Sequence, residues 1–222
     1  TGGHMPDSPH RLGVVRNGGP LNLNFNVWRN FLLWRDHLPK LKMAAILNVL
    51  LAEDTGQLVS CWETRGSELD IVYFYSHGGR DAVMNLPYLE ISDGPIDSNF
   101  LASTARDWAH NPLVFLNGCA TGDYGPSSYL SLIEDFRKAG ACGVVGTECP
   151  VPEPFAEAYA AALFPRLFHG ESLGPAMLAV RRDFLRERMN PLGLVYTLYA
   201  ASEVALRHAA ETPAAIPTGD QP

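Results

Sequence analysis

From residue 70 onward, short runs of β-branched and aromatic residues alternate with amphipathic helical patterns. The runs are residues 71–75 (IVYFY), 113–116 (LVFL) and 142–146 (CGVVG), and the first two lead into loops that contain glycine. Apolar runs without polar alternation are typical of strands covered on both faces, and such strands occur in parallel sheets. The sequence therefore predicts an α/β fold: a doubly wound, mostly parallel sheet with helices on both faces.

Helical spacing fills the segments between these strands. Apolar residues between positions 129 and 136 recur at helical intervals and predict a helix that ends at Gly140. The other predicted elements are helices at residues 154–164 and 172–188, a strand at 194–199 and, near the N terminus, a strand at 21–27 followed by a helix at 28–38.

Composition limits the class of protein. The chain has 222 residues, 46% of them hydrophobic, which suits one packed domain over residues 6–208. We expect residues 1–5 to be a vector remnant and residues 209–222 to be a disordered tail. The formal net charge of −7 argues against direct contact with nucleic acid or an anionic membrane. Four cysteines are too few for a disulfide scaffold and favour a reducing, cytoplasmic location; we expect Cys142 to lie in the core.

Two polar residues follow two of the predicted strands. His77 comes two positions after the strand at 71–75, and Cys119 comes three positions after the strand at 113–116. If these strands are neighbours, both side chains lie at the same edge of the sheet, where α/β proteins bind ligands. An imidazole beside a thiol favours the thiolate and can protonate a leaving amine, which predicts a Cys-His catalytic dyad. The amides of Gly78 and Cys119 are the predicted oxyanion hole. Taken singly, either residue also fits a structural role.

The same segments carry a family resemblance. The segments are residues 71–79 (IVYFYSHGG), 113–122 (LVFLNGCATG), 139–147 (AGACGVVGT), 170–179 (GESLGPAMLA) and 190–199 (NPLGLVYTLY). Together they resemble the CHAT domain, a bacterial branch of the caspase-like (clan CD) cysteine peptidases related to separase and gingipain. The resemblance implies a caspase-hemoglobinase fold and peptide-bond hydrolysis without a cofactor, with His77 as the catalytic histidine and Cys119 as the nucleophile.

The resemblance also implies a substrate preference. In related peptidases an acid in the loop after the third strand can line the S1 pocket and select a basic P1 residue. Glu153 falls near that position, and Glu148 and Asp123 are the other candidates. A solvated loop acid is the alternative interpretation of each.

Biological partners follow from the same analogy. Relatives are fused or tethered to sensor modules, and several act in antiphage defence or cell death by cutting a gasdermin or a CRISPR-associated protein. We therefore expect a protein substrate and a regulatory sensor protein or domain. Two alternatives stay open: a catalytically idle CHAT-like interaction module, and an unrelated small-molecule enzyme on a doubly wound sheet.

Other motifs favour structural roles. The sequence has no phosphate-binding GxxxxGK[ST] loop and no GxSxG nucleophile elbow, and its histidines lack metal-ligand spacing. One predicted helix carries a mixed charge cluster that favours a solvated face with intrahelical ion pairs. Its members are Arg181, Arg182, Asp183, Arg186, Glu187 and Arg188.

Overall fold

The structure is a computed structural model that describes residues 10–16, 47–52, 54–65, 69–81, 87–104, 108, 111–117 and 126–206. Nine strands and five α-helices are assigned in these ranges. The strands are β1 (His10–Arg16), β2 (Leu47–Ala52), β3 (Ile71–Tyr75), β4 (Gly78–Arg80), β5 (Pro87–Ile91), β6 (Gly94–Ile96), β7 (Leu113–Leu116), β8 (Gly143–Thr147) and β9 (Tyr196–Tyr199). The helices are α1 (Thr55–Arg65), α2 (Ser98–Thr104), α3 (Pro126–Lys138), α4 (Glu153–Phe168) and α5 (Leu173–Glu187), and a 3-10 turn (Pro191–Val195) precedes β9.

Six strands form the main sheet, in the order β2-β1-β3-β7-β8-β9. All neighbouring pairs are parallel except β8 and β9, which are antiparallel. A second sheet of three short antiparallel strands has the order β4-β5-β6. The predicted α/β fold with a mostly parallel sheet is therefore confirmed.

The main sheet separates two hydrophobic clusters, because successive side chains of a strand point to opposite faces. On one face Tyr73 and Phe115 pack with Phe164 of α4, at ring-centroid distances of 5.1 and 5.5 Å. On the other face Phe74 packs with Phe136 of α3, at 5.2 Å. Side chains of α1 and α2 join the second cluster, and those of α5 join the first. The predicted helices on both faces are thus confirmed.

Most predicted elements agree with the structure to within a few residues. The strands at 71–75 and 113–116 match β3 and β7, and Gly140 has a φ of 102° just beyond α3, which only glycine adopts readily. Helix α4 continues past Pro165, because the apolar side chains of Leu167 and Phe168 after it are buried in the core. The predicted strand at 21–27 and helix at 28–38 lie outside the described residues.

One prediction is wrong, and a second is wrong in part. Cys142 is exposed rather than buried; it lies one residue before β8, and its amide donates to the oxygen of Pro112. The charged face of α5 is solvated as predicted, since all its charged residues except Arg181 are exposed. Half-buried Arg181 donates a hydrogen bond to the backbone oxygen of Tyr196, and Asp183 pairs with Arg166 of α4 at 3.1 Å, not within α5 as predicted.

Candidate active site

The two strands that lead toward the proposed dyad are neighbours. β3 and β7 are parallel and in register, from Ile71 opposite Leu113 to Phe74 opposite Leu116. The pairing extends one residue further, since the amide of Asn117 donates to the oxygen of Phe74 at 2.8 Å. The condition set by the sequence, that these strands be adjacent, is therefore confirmed. Cys119 itself follows Asn117 by two residues and lies outside the described residues, as do Gly118 and Asp123.

The backbone of His77 is held by the small sheet. Its oxygen accepts a hydrogen bond from the amide of Glu90 at 2.7 Å, and the next residue, Gly78, lies opposite Leu89 in the β4–β5 pair. The imidazole is half-buried. Because His77 is fixed between the end of β3 and the start of β4, its side chain projects from a backbone that is bonded on both sides.

Gly79 allows an aromatic ring to cover the strand that follows His77. A Cβ atom on Gly79 would lie 3.0 Å or less from Oη, Cζ and Cε2 of Tyr88. Directly before His77, the hydroxyl of Ser76 is buried and has no hydrogen-bond partner in the part of the chain that the structure describes.

Asn117 lies at the centre of a buried polar cluster. Its side-chain NH₂ group donates to the hydroxyl of Tyr73 at 2.8 Å and to the backbone oxygen of Ala156 in α4 at 2.9 Å. Its side-chain oxygen accepts from the hydroxyl of Tyr196 in β9 at 2.6 Å. We call these four residues the Asn117 cluster. The cluster joins the end of β7 to β3 through Tyr73, to α4 through Ala156 and to β9 through Tyr196.

Tyr196 is fixed at three points. Its ring stacks on Tyr159 of α4, with centroids 3.7 Å apart and an interplanar angle of 5°, its backbone oxygen accepts from Arg181, and its hydroxyl reaches Asn117. Burial raises the pKa of the Tyr159 hydroxyl, although the charge of nearby Arg181 opposes this shift. Tyr159 is therefore neutral at physiological pH.

The S1 candidates lie at two different places. Glu148 follows β8 directly, and its carboxylate accepts a hydrogen bond from the hydroxyl of Tyr199 in β9 at 2.5 Å. Its amide donates to Val195, so Glu148 is part of the β8–β9 connection. Glu153 is half-buried in the first turn of α4, where a carboxylate is favoured by the helix dipole. Glu148 thus belongs to the β8–β9 connection, and Glu153 belongs to the start of α4.

Sequence reasoning missed a buried acid, Glu157. It lies one helical turn after Glu153, and only 7% of it is exposed. It also follows Ala156, whose backbone oxygen contacts Asn117, so it lies near the end of β7. The sequence does contain a signal for it. Glu157 interrupts an otherwise apolar stretch of α4, and a charged side chain in such a stretch is rarely buried unless it is paired.

The described residues contain no group of three or more His, Cys, Asp or Glu side chains arranged to hold a metal ion. Among their helices, none combines the length and the apolar character needed to cross a bilayer.

Comparison with known proteins identifies relatives of this chain. Among curated proteins, one from Vitiosangium sp. (strain GDMCC 1.1324), named "Probable protease", is 34% identical over 188 residues. The match covers 80% of this chain but only 24% of that protein, so this chain spans about a quarter of its relative's length.

Solved structures with a similar course of the chain include two from distant organisms. The Drosophila initiator caspase Dronc is 10% identical, with a TM-score of 0.46 and coverage of 86% of this chain and 77% of Dronc. Protein GSU0716 from Geobacter sulfurreducens is 14% identical, with a TM-score of 0.47 and coverage of 86% of this chain and 92% of its own. The family model described as the CHAT domain matches residues 37–210, most of the sequence. This chain belongs to the CHAT domain family.

Proposed function

We propose that the chain is a cysteine endopeptidase in which Cys119 is the nucleophile and His77 is the general base and acid. The observation that carries the proposal is the adjacent, parallel pairing of β3 and β7, because parallel neighbours end at the same edge of a sheet and His77 and Cys119 follow these two strands in the sequence. His77 is half-buried, and its backbone oxygen is bonded to the amide of Glu90.

Each step of the reaction needs only these two side chains and water. The Cys119 thiolate attacks the carbonyl carbon of the scissile peptide and forms a C–S bond, and the amides of Gly78 and Cys119 stabilise the oxyanion. Collapse of this intermediate breaks the C–N bond, and His77 gives its proton to the leaving amine. A water molecule then transfers a proton to His77 and attacks the thioester; the C–S bond breaks, which releases the carboxylic acid and restores the Cys119 thiolate beside protonated His77.

The relationship to the Vitiosangium protein supports a proteolytic role. That protein is named a probable protease, and 34% identity over 188 residues aligns most of this chain with a part of it. Family membership is consistent with the same chemistry.

We further propose that P1 is basic and that Glu153 faces it. A cation beside a half-buried carboxylate is favourable, and Glu153 is half-buried in the first turn of α4. The substrate proposed from the family resemblance is a protein, such as a gasdermin or a CRISPR-associated partner. The proposed pathway is regulated antiphage defence or cell death in the cytoplasm, controlled by a sensor protein or domain. Incubating the enzyme with the proteins encoded beside it tests this proposal through their cleavage.

A thiol-directed activity probe tests the catalytic assignment. Trypsin releases residues 107–137 as a peptide in which Cys119 is the single cysteine, so labelling can be assigned by mass spectrometry. We expect rapid labelling of the wild type, slow labelling of His77→Ala and no cleavage of substrate by Cys119→Ala. Cys142→Ala is the matched control, because Cys142 is exposed and lies just before a different strand, β8. If His77→Ala labels as fast as the wild type, the chain is an idle CHAT-like module instead.

A further inference from the structure

The buried residues at the end of β7 include one that the proposed chemistry does not use. Asn117 is completely buried, yet its side chain makes three hydrogen bonds, each to a different element. An apolar residue at this position would pack without the cost of removing an amide from water. A fully bonded polar group in the core holds its partners in one arrangement, which apolar packing specifies less strictly.

The position of Asn117 shows which part of the chain its three hydrogen bonds hold. Its backbone amide is bonded to β3 through Phe74, and among the described residues it is the one nearest in sequence to Cys119, which follows two residues later. Any rotation of the strand end about this point changes the direction in which the following residues leave it.

The three bonds oppose such a rotation from different directions. The bond to Tyr73 ties Asn117 to the neighbouring strand on which His77 follows, and the bond to Ala156 ties it to α4. The bond from Tyr196 adds a third anchor, which is itself fixed by its stack on Tyr159. Three anchors that are not collinear define an orientation, which one bond alone does not.

We propose that Asn117 is a positioning residue for the nucleophile: the Asn117 cluster fixes the end of β7 so that Cys119 meets His77 in the reactive geometry. This inference rests on the proposed peptidase function. Displacing a reacting group by about 1 Å can cost about 100-fold in rate. We therefore expect Asn117→Ala to lower kcat about 100-fold and Tyr196→Phe about 10-fold, each with KM changed less than threefold.

Tyr196→Phe is the sharpest variant, because it removes one hydroxyl and retains the stacked ring. Tyr73→Phe does the same for the second bond. Val114→Ala is the matched control, since Val114 is fully buried on the same strand but belongs to the opposite face and not to the cluster. We expect Val114→Ala to lower the unfolding midpoint at least as much as Tyr196→Phe does, with kcat unchanged.

The pH dependence of alkylation gives a readout that a purely structural role would not move. The folded protein is labelled with iodoacetamide at each pH and then digested, and the label is measured in the 107–137 peptide. The labelling rate reports the thiolate fraction of Cys119 and needs no substrate. We expect the midpoint to move to higher pH in Tyr196→Phe and in Asn117→Ala, but not in Val114→Ala. Cys119 of the double variant Asn117→Ala/Tyr196→Phe should be alkylated no more slowly than Cys119 of Asn117→Ala alone, because both changes remove the same hydrogen bond between Asn117 and Tyr196.

The outcomes separate this inference from the function beneath it. If kcat and the alkylation profile of Tyr196→Phe and Asn117→Ala match those of Val114→Ala, the positioning role is refuted while the peptidase stands. If His77→Ala leaves the alkylation profile of Cys119 unchanged, the dyad itself is refuted. A shift in the cluster variants that is absent from the control supports the positioning role.

Discussion

The carboxylate of Asp93 joins the small sheet to α1, and its removal has a calculable cost. Asp93 lies in the turn between β5 and β6, and it accepts hydrogen bonds from the amide of Thr55 at 2.8 Å and from the hydroxyl of Thr55 at 2.6 Å. The amide belongs to the first residue of α1, where helical N–H groups lack partners within the helix. Loss of such a cap costs about 0.5–2 kcal/mol, so we expect Asp93→Ala to lower the free energy of unfolding by about 1 kcal/mol at pH 7.

The expected loss is not larger, because the helix retains a second cap. Asp54 accepts from the amide of Gln57 at 2.7 Å and from its side chain at the same distance. Asp93 is also exposed, so water can replace part of what is removed. Asp93→Asn keeps an acceptor but loses the charge, and we expect an intermediate value for it.

The pH dependence of the effect has a defined sign. The hydroxyl and then the amide of Thr55 hold the pKa of Asp93 below its usual value. A carboxyl whose pKa is lower in the folded than in the unfolded protein stabilises the fold above its unfolded pKa, about 4. This contribution is lost as the pH falls through the folded pKa. The difference between wild type and Asp93→Ala should therefore shrink below about pH 4.

Urea unfolding at pH 7 and at pH 3 measures both the loss of unfolding free energy in Asp93→Ala and its change with pH. Trp62 of α1 is buried and packs edge-on against Trp108 at 5.5 Å, so tryptophan fluorescence reports the transition. Hydrogen exchange should also speed up at residues 87–96 and stay constant in β7, since the hairpin loses its tether to α1. The reasoning is refuted if Asp93→Ala unfolds with the same free energy as the wild type at pH 7, or if the difference between them grows on acidification.

Two further predictions concern the strand that follows His77 and the proposed S1 acids. Gly79→Ala should cost about 1–3 kcal/mol and lower kcat, because the new methyl group displaces the ring of Tyr88 beside the strand that follows His77. Gly94→Ala is its control in urea unfolding, since a Cβ atom there meets nothing within 4 Å. Glu153→Gln should lower the ratio of kcat/KM for a fluorogenic peptide with arginine at P1 to that for the same peptide with alanine at P1 by about 100-fold. Glu148→Gln should leave this ratio unchanged. An arginine preference that survives Glu153→Gln would mean that another contact supplies the selectivity.

The central strands could be predicted because their composition leaves one interpretation. Residues 71–75 and 113–116 are buried on both faces, so every position is apolar, and the strand bounds follow from where the apolar run stops. The small sheet could not be found in this way. β4 has only three residues, Gly78–Arg80, and two of them are glycines, so neither propensity nor alternation marks it as a strand. Its pairing with β5 supplies what its own sequence lacks.

The candidate site was predictable only as far as local order determines it. His77 and Cys119 could be selected because each follows a recognisable strand. The Asn117 cluster could not, since its bonds join residues that are 39, 44 and 79 positions apart in the sequence. An asparagine at the end of a strand is typical of a turn, and nothing near it in the sequence indicates burial. Tertiary contacts alone turn this residue into a core hydrogen-bonding group.

The two members of the proposed dyad depend on separate supports. The backbone of His77 is bonded to Glu90 of the small sheet, and that sheet is tied to α1 through Asp93. The strand that leads to Cys119 is instead anchored by Asn117 to elements on the opposite side of the main sheet from α1. The two sets of contacts share no residue, but they meet at β3, because Asn117 is bonded to Tyr73 and Phe74 of the strand that leads to His77. In the proposed dyad, the alignment of thiol and imidazole therefore depends on contacts on both faces of the main sheet.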